Sequence, residues 1–454
     1  QRLRSTPLKF DAKFIQKIVK SLPFRLTEAQ RRATWEILQA LERTTPMNRL
    51  LQGDVGSGKT IVAAIAAAQA AHNGRQIALL APTAILATQH YESLVRLFQD
   101  IEAKNPGMTM PRMALLTGAT FNKPMLKRLI KAGEIDFVIG THALLTDTTT
   151  FRDLAFCIID EQHRFGVGQR QKLLLKSPKD TAPHLLSMTA TPIPRSLQLT
   201  AFGDLDVSLL NELPPGRQPI ETRILNETEQ RDELYPRMRE LLAKKQQIYW
   251  ICQVIEEKNG NMATPVKKQA KKLEELFPKA KIGLLHGKMR PEEKDRIMIE
   301  FAENKIQILV STTVVEVGVN VPNANMIIIQ DSENYGLAQL HQLRGRVGRG
   351  DQPAYCFLLT TGEGRPSKRL REMEKSTDGF HLAEVDLQIR GPGEIYGSMQ
   401  HGELNLQVAN LSDTELIAQA SHHAEEFAQH AEEMENYSEL APRIKKYQQL
   451  TTLN

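Results

Sequence analysis

One run constrains this chain more than any other: Gly53-Asp54-Val55-Gly56-Ser57-Gly58-Lys59-Thr60. It fits the phosphate-binding pattern G-x-x-x-x-G-K-[ST]. An apolar, strand-like Leu50-Leu51 precedes it, and an Ala/Ile-rich helix candidate runs on from Thr60 to about Ala71. Glycines let such a loop curl until its N–H groups face phosphate oxygens, and the helix N-terminus adds partial positive charge. Lys59 is expected to reach the β- and γ-phosphates and Thr60 to hold Mg²⁺. The run therefore predicts a nucleoside triphosphate seated at the end of a parallel strand.

The surrounding chain reads as α/β. Between Leu50 and Leu210, strand candidates at Gln76–Leu80, Arg112–Leu116, Phe137–Ile139, Phe156–Ile159 and His184–Met188 alternate with helical stretches. This alternation predicts a parallel sheet covered by helices. Pro214-Pro215-Gly216 interrupts it, as a boundary would. A second alternating block has strands near Ile248–Cys252, Ile282–Leu285, Ile308–Val310, Met326–Ile329 and Cys356–Leu359. Its size predicts two tandem nucleotide-fold domains, and no short period suggests a solenoid. After Gly362 the chain turns charged and helical from Arg365 to Lys375 and glycine-studded from Leu387 to Gly402. An amphipathic helix is expected from Ser412 or Asp413 to about Asn436. The expected division is 1–45, a linker and adenine-recognition segment; 46–212 and 213–362, the two sheet domains; and 363–454, a mainly helical C-terminal region. At 454 residues, roughly three domains are expected.

Bulk properties exclude little. A net charge of +5 is compatible with a polyanionic partner but does not require one. Cys157, Cys252 and Cys356 lie far apart in apolar runs, forming neither metal spacing nor a disulfide framework, so buried thiols are expected. No run is long enough to span a bilayer and no signal peptide is visible, which predicts a cytosolic protein. The chain begins with Gln1 rather than Met.

The chemistry narrows with the next motifs. Phe156-Cys157-Ile158-Ile159 ends in Asp160-Glu161-Gln162-His163. A carboxylate at a strand tip beside the phosphate loop is where Mg²⁺ is held, a role expected for Asp160. Glu161 is then the general base for the attacking water, with Gln162 and His163 placed to sense the γ-phosphate or pass strain onward. The second block holds Gln339-Leu340-His341-Gln342-Leu343-Arg344-Gly345-Arg346-Val347-Gly348-Arg349-Gly350. Arginines spaced by glycine can cross a cleft and stabilise charge on a transferring phosphoryl group. Arg346 and Arg349 are the finger candidates, with Gln342 near the phosphates.

Together with Thr189-Ala190-Thr191, these are the ordered motifs of superfamily 2 helicases and translocases. Nearly all of the chain resembles the RecG family of bacterial DNA helicases, through Met47–Thr60, Gly140–Leu144, Asp160–Gly166, Met188–Arg195, Glu212–Arg217, Ser311–Pro322 and Gly336–Gly350. The resemblance implies two RecA-like domains and adenine recognition by the segment from Phe24 to Gln30, with a plain helix start capped by Thr27 as the rival reading. It implies DNA-backbone contacts at Pro82-Thr83, Thr141-His142, His286-Gly287 and Thr312-Thr313. Thr189 and Thr191 would couple hydrolysis to movement, and Glu316 and Gly318 would face nucleotide. Asp386-Leu387-Gln388-Ile389-Arg390-Gly391-Pro392-Gly393-Glu394 resembles the family's translocation motif, with Arg390 as an anchor and Arg365–Arg371 in its helical hairpin.

The implied activity is ATP- and Mg²⁺-dependent translocation on duplex or branched DNA, at stalled forks and Holliday junctions. The implied partners are DNA and single-stranded-DNA-binding protein, with a monomer at the nucleoid and no membrane. An ATP-gated DNA clamp and an RNA-dependent ATPase are the rivals. Met399 stands where arginine is usual and Asn320 where aspartate is common. The family's upstream wedge domain is not found in the some fifty residues before the phosphate loop. Three features read as ordinary surface or core: the Lys267–Lys272 run as a solvated helix face, His422, His423 and His430 as exposed helix positions, and Trp35 and Trp250 as core or adenine-side packing.

Overall fold

The computed structural model describes residues 4–390 apart from 179–180, 192–204, 213–218, 227–228, 254–263, 313–318 and 362–365; beyond 390 it describes isolated positions only. The chain divides into two compact units, Gln1–Pro192 with Asp206–Gly379, and Ile193–Leu205 with Phe380–Asn454.

The first unit contains two RecA-like sheet domains. In domain 1, β1 (Asn48–Gly53), β2 (Gln76–Leu80), β3 (Met113–Leu116), β4 (Phe137–Gly140), β5 (Leu154–Ile159), β6 (His184–Thr189) and β7 (Asp206–Leu210) lie in the order β3-β4-β2-β5-β6-β1-β7. Each recorded pairing is parallel. Strands β2, β5 and β6 are buried along their whole length, as apolar strands covered on both faces must be. The covering helices are α1 (Ala12–Ser21), α2 (Glu28–Leu41), α3 (Lys59–His72), α4 (Ala84–Lys104), α5 (Lys123–Ala132) and α6 (Val167–Leu174). Helix α3 is buried continuously from Ile61 to Ala70. Its small Ala side chains let it pack against α1 and α2 as well as the sheet, so it needs no polar face.

Domain 2 repeats the plan with β8 (Ile220–Leu225), β9 (Gln247–Ile251), β10 (Ile282–Leu285), β11 (Ile308–Ser311), β12 (Ala324–Ile329) and β13 (Ala354–Leu359), in the order β10-β11-β9-β12-β13-β8. Its helices are α7 (Tyr235–Ala243), α8 (Thr264–Leu276), α9 (Pro291–Ala302) and α10 (Leu337–Arg344), followed by α11 (Lys368–Lys375) and α12 (Gly379–Arg390). The repetition extends to single residues. Gln76 opens β2 and donates to Ile130 O and Ile135 O, both at 2.8 Å; Gln247 opens β9 and donates to Phe301 O and Ile306 O. In each domain a buried amide thus satisfies carbonyls left where a helix ends before the next strand. Likewise β5 and β12 each end in a left-handed residue, Glu161 (φ 49°) and Asp331 (φ 52°), then a single 3₁₀ turn and a glycine that starts the next helix.

Some elements depart from expectation. Strands β7 and β8 are absent from the expected set, because they sit at sheet edges and keep exposed polar positions. Side chains hold β7 in place: Arg49 of β1 donates to Ser208 at 2.9 Å and to Asp206 at 3.0 Å. Helix α12 carries the chain through Arg390, in place of the loop expected from Leu387. Helix α11 packs on β8 and α10. Trp250 is core, but Trp35 is 48% exposed and meets Phe10 edge-on; the helix α2 turns it outward, so it is not core packing. The three cysteines are buried and unpaired by disulfides, and burial pushes the thiols of Cys252 and Cys356 up to about 12. The late helix falls largely outside the described residues, as do Met399, His422 and His430. Among the described residues no helix is long and apolar enough to cross a membrane.

Candidate nucleotide site between the two sheets

The phosphate loop leaves β1 at Gly53 and enters α3 at Lys59. Backbone geometry explains its glycines: Gly56 and Gly58 have φ of 81° and 85°, which side chains disfavour. A Cβ on Gly53 would lie 2.6 Å from Ser57 Oγ and 2.7 Å from Leu210 Cβ. Gln30 lies behind the loop. It completes a capping box with Thr27, accepting from Thr27 N at 2.9 Å, and its amide donates to Ser57 O at 2.8 Å. The segment is thus a helix start capped by Thr27, and Gln30 also touches the phosphate loop. Phe24, half exposed, lines the cavity that opens there.

That cavity, about 1250 Å³, is lined from domain 1 by Val55, Gly56, Gly58, Lys59, Thr60, Asp160 and Glu161, and from domain 2 by Arg346 and Arg349. Lys59 Nζ is held by Gly53 O at 2.7 Å and Asp54 O at 3.0 Å. Burial draws its pKa down, against the pull of Glu161, Asp160 and Asp54, and Arg349 adds to the lowering. Arg349 is thus close enough for its charge to be felt at the loop lysine.

The two carboxylates at the end of β5 behave differently. Burial alone would raise Asp160; a 2.8 Å hydrogen bond donated by His90 Nε2, with the charges of His90 and Lys59, outweighs it and holds the carboxyl below the usual range. Burial and the neighbouring Asp160 push Glu161 up, while Lys59 and Arg346 resist. Glu161 Oε2 has no hydrogen-bond partner, and His163 Nδ1 stands 3.7 Å from it. Two adjacent carboxyls with opposed shifts suit one to a cation and the other to a proton. Asp160, a buried oxygen donor kept ionised, and Thr60 in the same cavity fit Mg²⁺, which needs few protein ligands beside nucleotide phosphates. Among the described residues no cluster of three or more His, Cys, Asp or Glu forms a separate metal site.

Direct contacts join the two domains beside the cavity. His341 Nε2 donates to Asp54 Oδ1 at 2.8 Å. Burial would raise Asp54, but this bond and the charge of Lys59 hold it low. Gln342, expected near the phosphates, instead donates to Thr191 Oγ1 at 2.5 Å; Thr191 N in turn donates to Thr189 Oγ1 at 3.1 Å. A Cβ on Gly345 would lie 2.9 Å from Val55 Cβ.

The strand-end residues expected at DNA take varied positions. Thr83 caps α4, accepting from Leu86 N at 3.3 Å, and Pro82 is half-buried beside it. Thr141 N donates to Leu116 O at 3.3 Å, and exposed His142 meets Phe165 edge-on. His286 is half-buried; burial and then Lys267, Lys294 and Lys288 lower its pKa, although Glu293 opposes them. Thr312 departs from expectation: it is 2% exposed, with its hydroxyl unpartnered. Its N–H is tied to Leu285 O and its carbonyl takes the Ser311 hydroxyl, which keep it inside the sheet. Thr313, Glu316 and Gly318 lie outside the described residues, as do the side chain of Arg390 and residues 391–394.

Sequence reasoning gives no role to His90, Gln89, His341 or Arg344. Apart from the bond between Arg344 and His341, their partners are remote in sequence, 70 residues away for His90, 231 for Gln89 and 287 for His341, so local spacing does not single them out.

The chain is similar to known proteins along most of its length. Residues 27–200 match the DEAD/DEAH box helicase family, 233–351 the helicase conserved C-terminal domain, and 376–453 the C-terminal part of domain 3 of ATP-dependent DNA helicase RecG. The chain is 46% identical over 448 residues to the ATP-dependent DNA helicase RecG of Aquifex aeolicus, covering 96% of this chain and 55% of that protein. It is 47% identical over 410 residues to that of Thermotoga maritima, covering 89% and 51%. A solved structure of RecG bound to a three-way DNA junction superposes with a TM-score of 0.77 at 43% identity, covering 91% of this chain and 53% of that one. The chain thus spans about half the length of these relatives.

Proposed function

We infer from the chain's similarity to RecG helicases and from the cavity that it belongs to the RecG family of superfamily 2 helicases and is an ATP-hydrolysing motor that moves along duplex DNA and acts on branched DNA such as stalled forks and Holliday junctions. One observation carries the reading: Lys59, Asp160 and Glu161 of one sheet domain and Arg346 and Arg349 of the other line a single cavity. Lys59 and the loop amides bind the phosphates. Asp160 and Thr60 would hold Mg²⁺, which when bound neutralises phosphate charge. Glu161, a buried carboxyl with a raised pKa, takes a proton from the attacking water, and the two arginines stabilise charge on the phosphoryl group.

Phosphate acts as a shared anion for the two domains. While it is present, Lys59 and the arginines draw together; once it leaves, their positive charges repel and the cavity is free to open. Grips on the DNA backbone at Thr83, Thr141, His142 and His286, with Thr313 and Arg390, would convert that cycle into movement that is largely independent of sequence. Thr189 and Thr191, tied to Gln342, are placed to report nucleotide state between domains. Gln30 and Phe24 would receive the base, with Glu316 and Gly318 facing it from domain 2. A monomer working in the cytoplasm at the nucleoid, beside single-stranded-DNA-binding protein, rests on the resemblance alone.

The test is ATP turnover with and without forked or duplex DNA, paired with displacement of a third strand from a triplex. A motor is stimulated by DNA and strips the third strand only with hydrolysable ATP. Stimulation without displacement would identify a clamp, greater stimulation by RNA an RNA-dependent ATPase, and no stimulation by any nucleic acid would reject the motor.

A further inference from the structure

Helix α4 does two separate things at the cavity with neighbouring residues. His90 turns inward to Asp160. Gln89, one position earlier, reaches out to domain 2 and pairs with both polar groups of one peptide residue: its Oε1 accepts from Asn320 N at 2.9 Å and its Nε2 donates to Asn320 O at 3.2 Å. A side-chain amide that meets a backbone N–H and C=O together reproduces the pairing of a β-ladder, which fixes distance and orientation together. Asn320 cannot drift within its own domain, because its neighbours Val319 and Val321 are 4% and 0% exposed. Helix α9 of domain 2 also packs on α4, so the Gln89 pair sits on a continuous seam distinct from the one made by Asp54 and His341.

The Asn320 side chain then turns to the finger candidate. Its Oδ1 accepts from Arg349 Nη1 at 3.3 Å, and Arg349 Nε donates to Gly345 O at 3.4 Å. Gln89, Asn320 and Arg349 all line the same cavity as Lys59.

We propose that Gln89 is a positioning residue for phosphoryl transfer: by pairing with the Asn320 peptide it latches domain 2 onto α4 in the register that presents Arg349 to the phosphates. The inference rests on the ATPase reading above.

Two proteins are compared, wild type and Gln89→Ala. Turnover is measured with saturating DNA, nucleotide affinity by direct binding of a fluorescent ADP, and closure by the distance between spin labels on Lys131→Cys and Lys268→Cys. Both label positions are exposed and the native cysteines are buried. Closure is read with Mg²⁺ and a non-hydrolysable ATP analogue. Loss of two hydrogen bonds across the seam should lower kcat of Gln89→Ala on the order of tenfold, broaden the distance distribution, and leave ADP affinity within about twofold, since the phosphate loop belongs to domain 1. Gln89→Ala with wild-type kcat and wild-type distances overturns the latch and leaves the ATPase reading intact. A wild-type chain that hydrolyses no ATP sinks both readings together.

Discussion

At the scale of single residues, the pair at the end of β5 makes the sharpest demand. Glu161 is 8% exposed, sits in the left-handed region, adjoins another carboxyl and has one oxygen unpartnered. A group so placed adds nothing to stability as an anion, which fits the proposed role as base. Glu161→Gln should therefore lower ATP turnover by on the order of 100-fold or more while the melting temperature at neutral pH stays level or rises. A turnover loss accompanied by a lower melting temperature would mean that the carboxylate is structural. Lys59→Ala should abolish turnover outright.

Asp54 makes the opposite case, because its folded-state pKa is depressed by His341. Its contribution is present above its unfolded value and disappears as pH falls through the folded one, so the window lies below about pH 4. Melting temperature tracked downward through that window should drop more steeply for wild type than for Asp54→Asn. Parallel curves would show that the Asp54–His341 bond carries no linkage.

At the scale of elements, a relay of side chains stitches α10 to α11 and to the start of α12. Arg344 is 2% exposed and donates to His341 Nδ1 at 2.9 Å and to Met373 O and Ser376 O at 2.8 Å each. With Nδ1 accepting from Arg344, His341 must carry its proton on Nε2, the atom that faces Asp54. A Cβ on Gly379 would collide with Asp54 Oδ1 and lie 2.5 Å from His341 Nε2, so only glycine fits where α12 begins. Arg344→Ala leaves buried carbonyls unpaired and should cost about 2 kcal/mol in urea unfolding; a shift in midpoint worth a few tenths would contradict the role.

The elements most legible in the sequence are those whose signal is local. The phosphate loop with its strand and helix, and the apolar central strands such as Phe156–Ile159, declare themselves through composition and turn chemistry. Edge strands β7 and β8 do not, since their polar faces break the apolar run and remote partners hold them, Arg49 on β7 and Arg344 on β8. The site divides the same way: Lys59, Asp160, Arg346 and Arg349 belong to compact motifs, whereas His90, Gln89 and Arg344 gain meaning only through partners brought near by the fold. Thr312 shows the reverse error, a motif position that the sheet keeps buried.

At the scale of the whole molecule, the central claim is that neither sheet domain hydrolyses ATP alone and that Arg349 completes a site whose phosphates are bound by Lys59. The most direct measurement compares wild type with Arg349→Ala in two assays, steady-state kcat at saturating ATP and DNA, and equilibrium binding of a non-hydrolysable ATP analogue. The predicted result is a kcat lower by on the order of 1000-fold with analogue affinity within about threefold of wild type. Affinity and turnover falling by the same factor, or turnover left unchanged, would contradict completion of the site from the second domain.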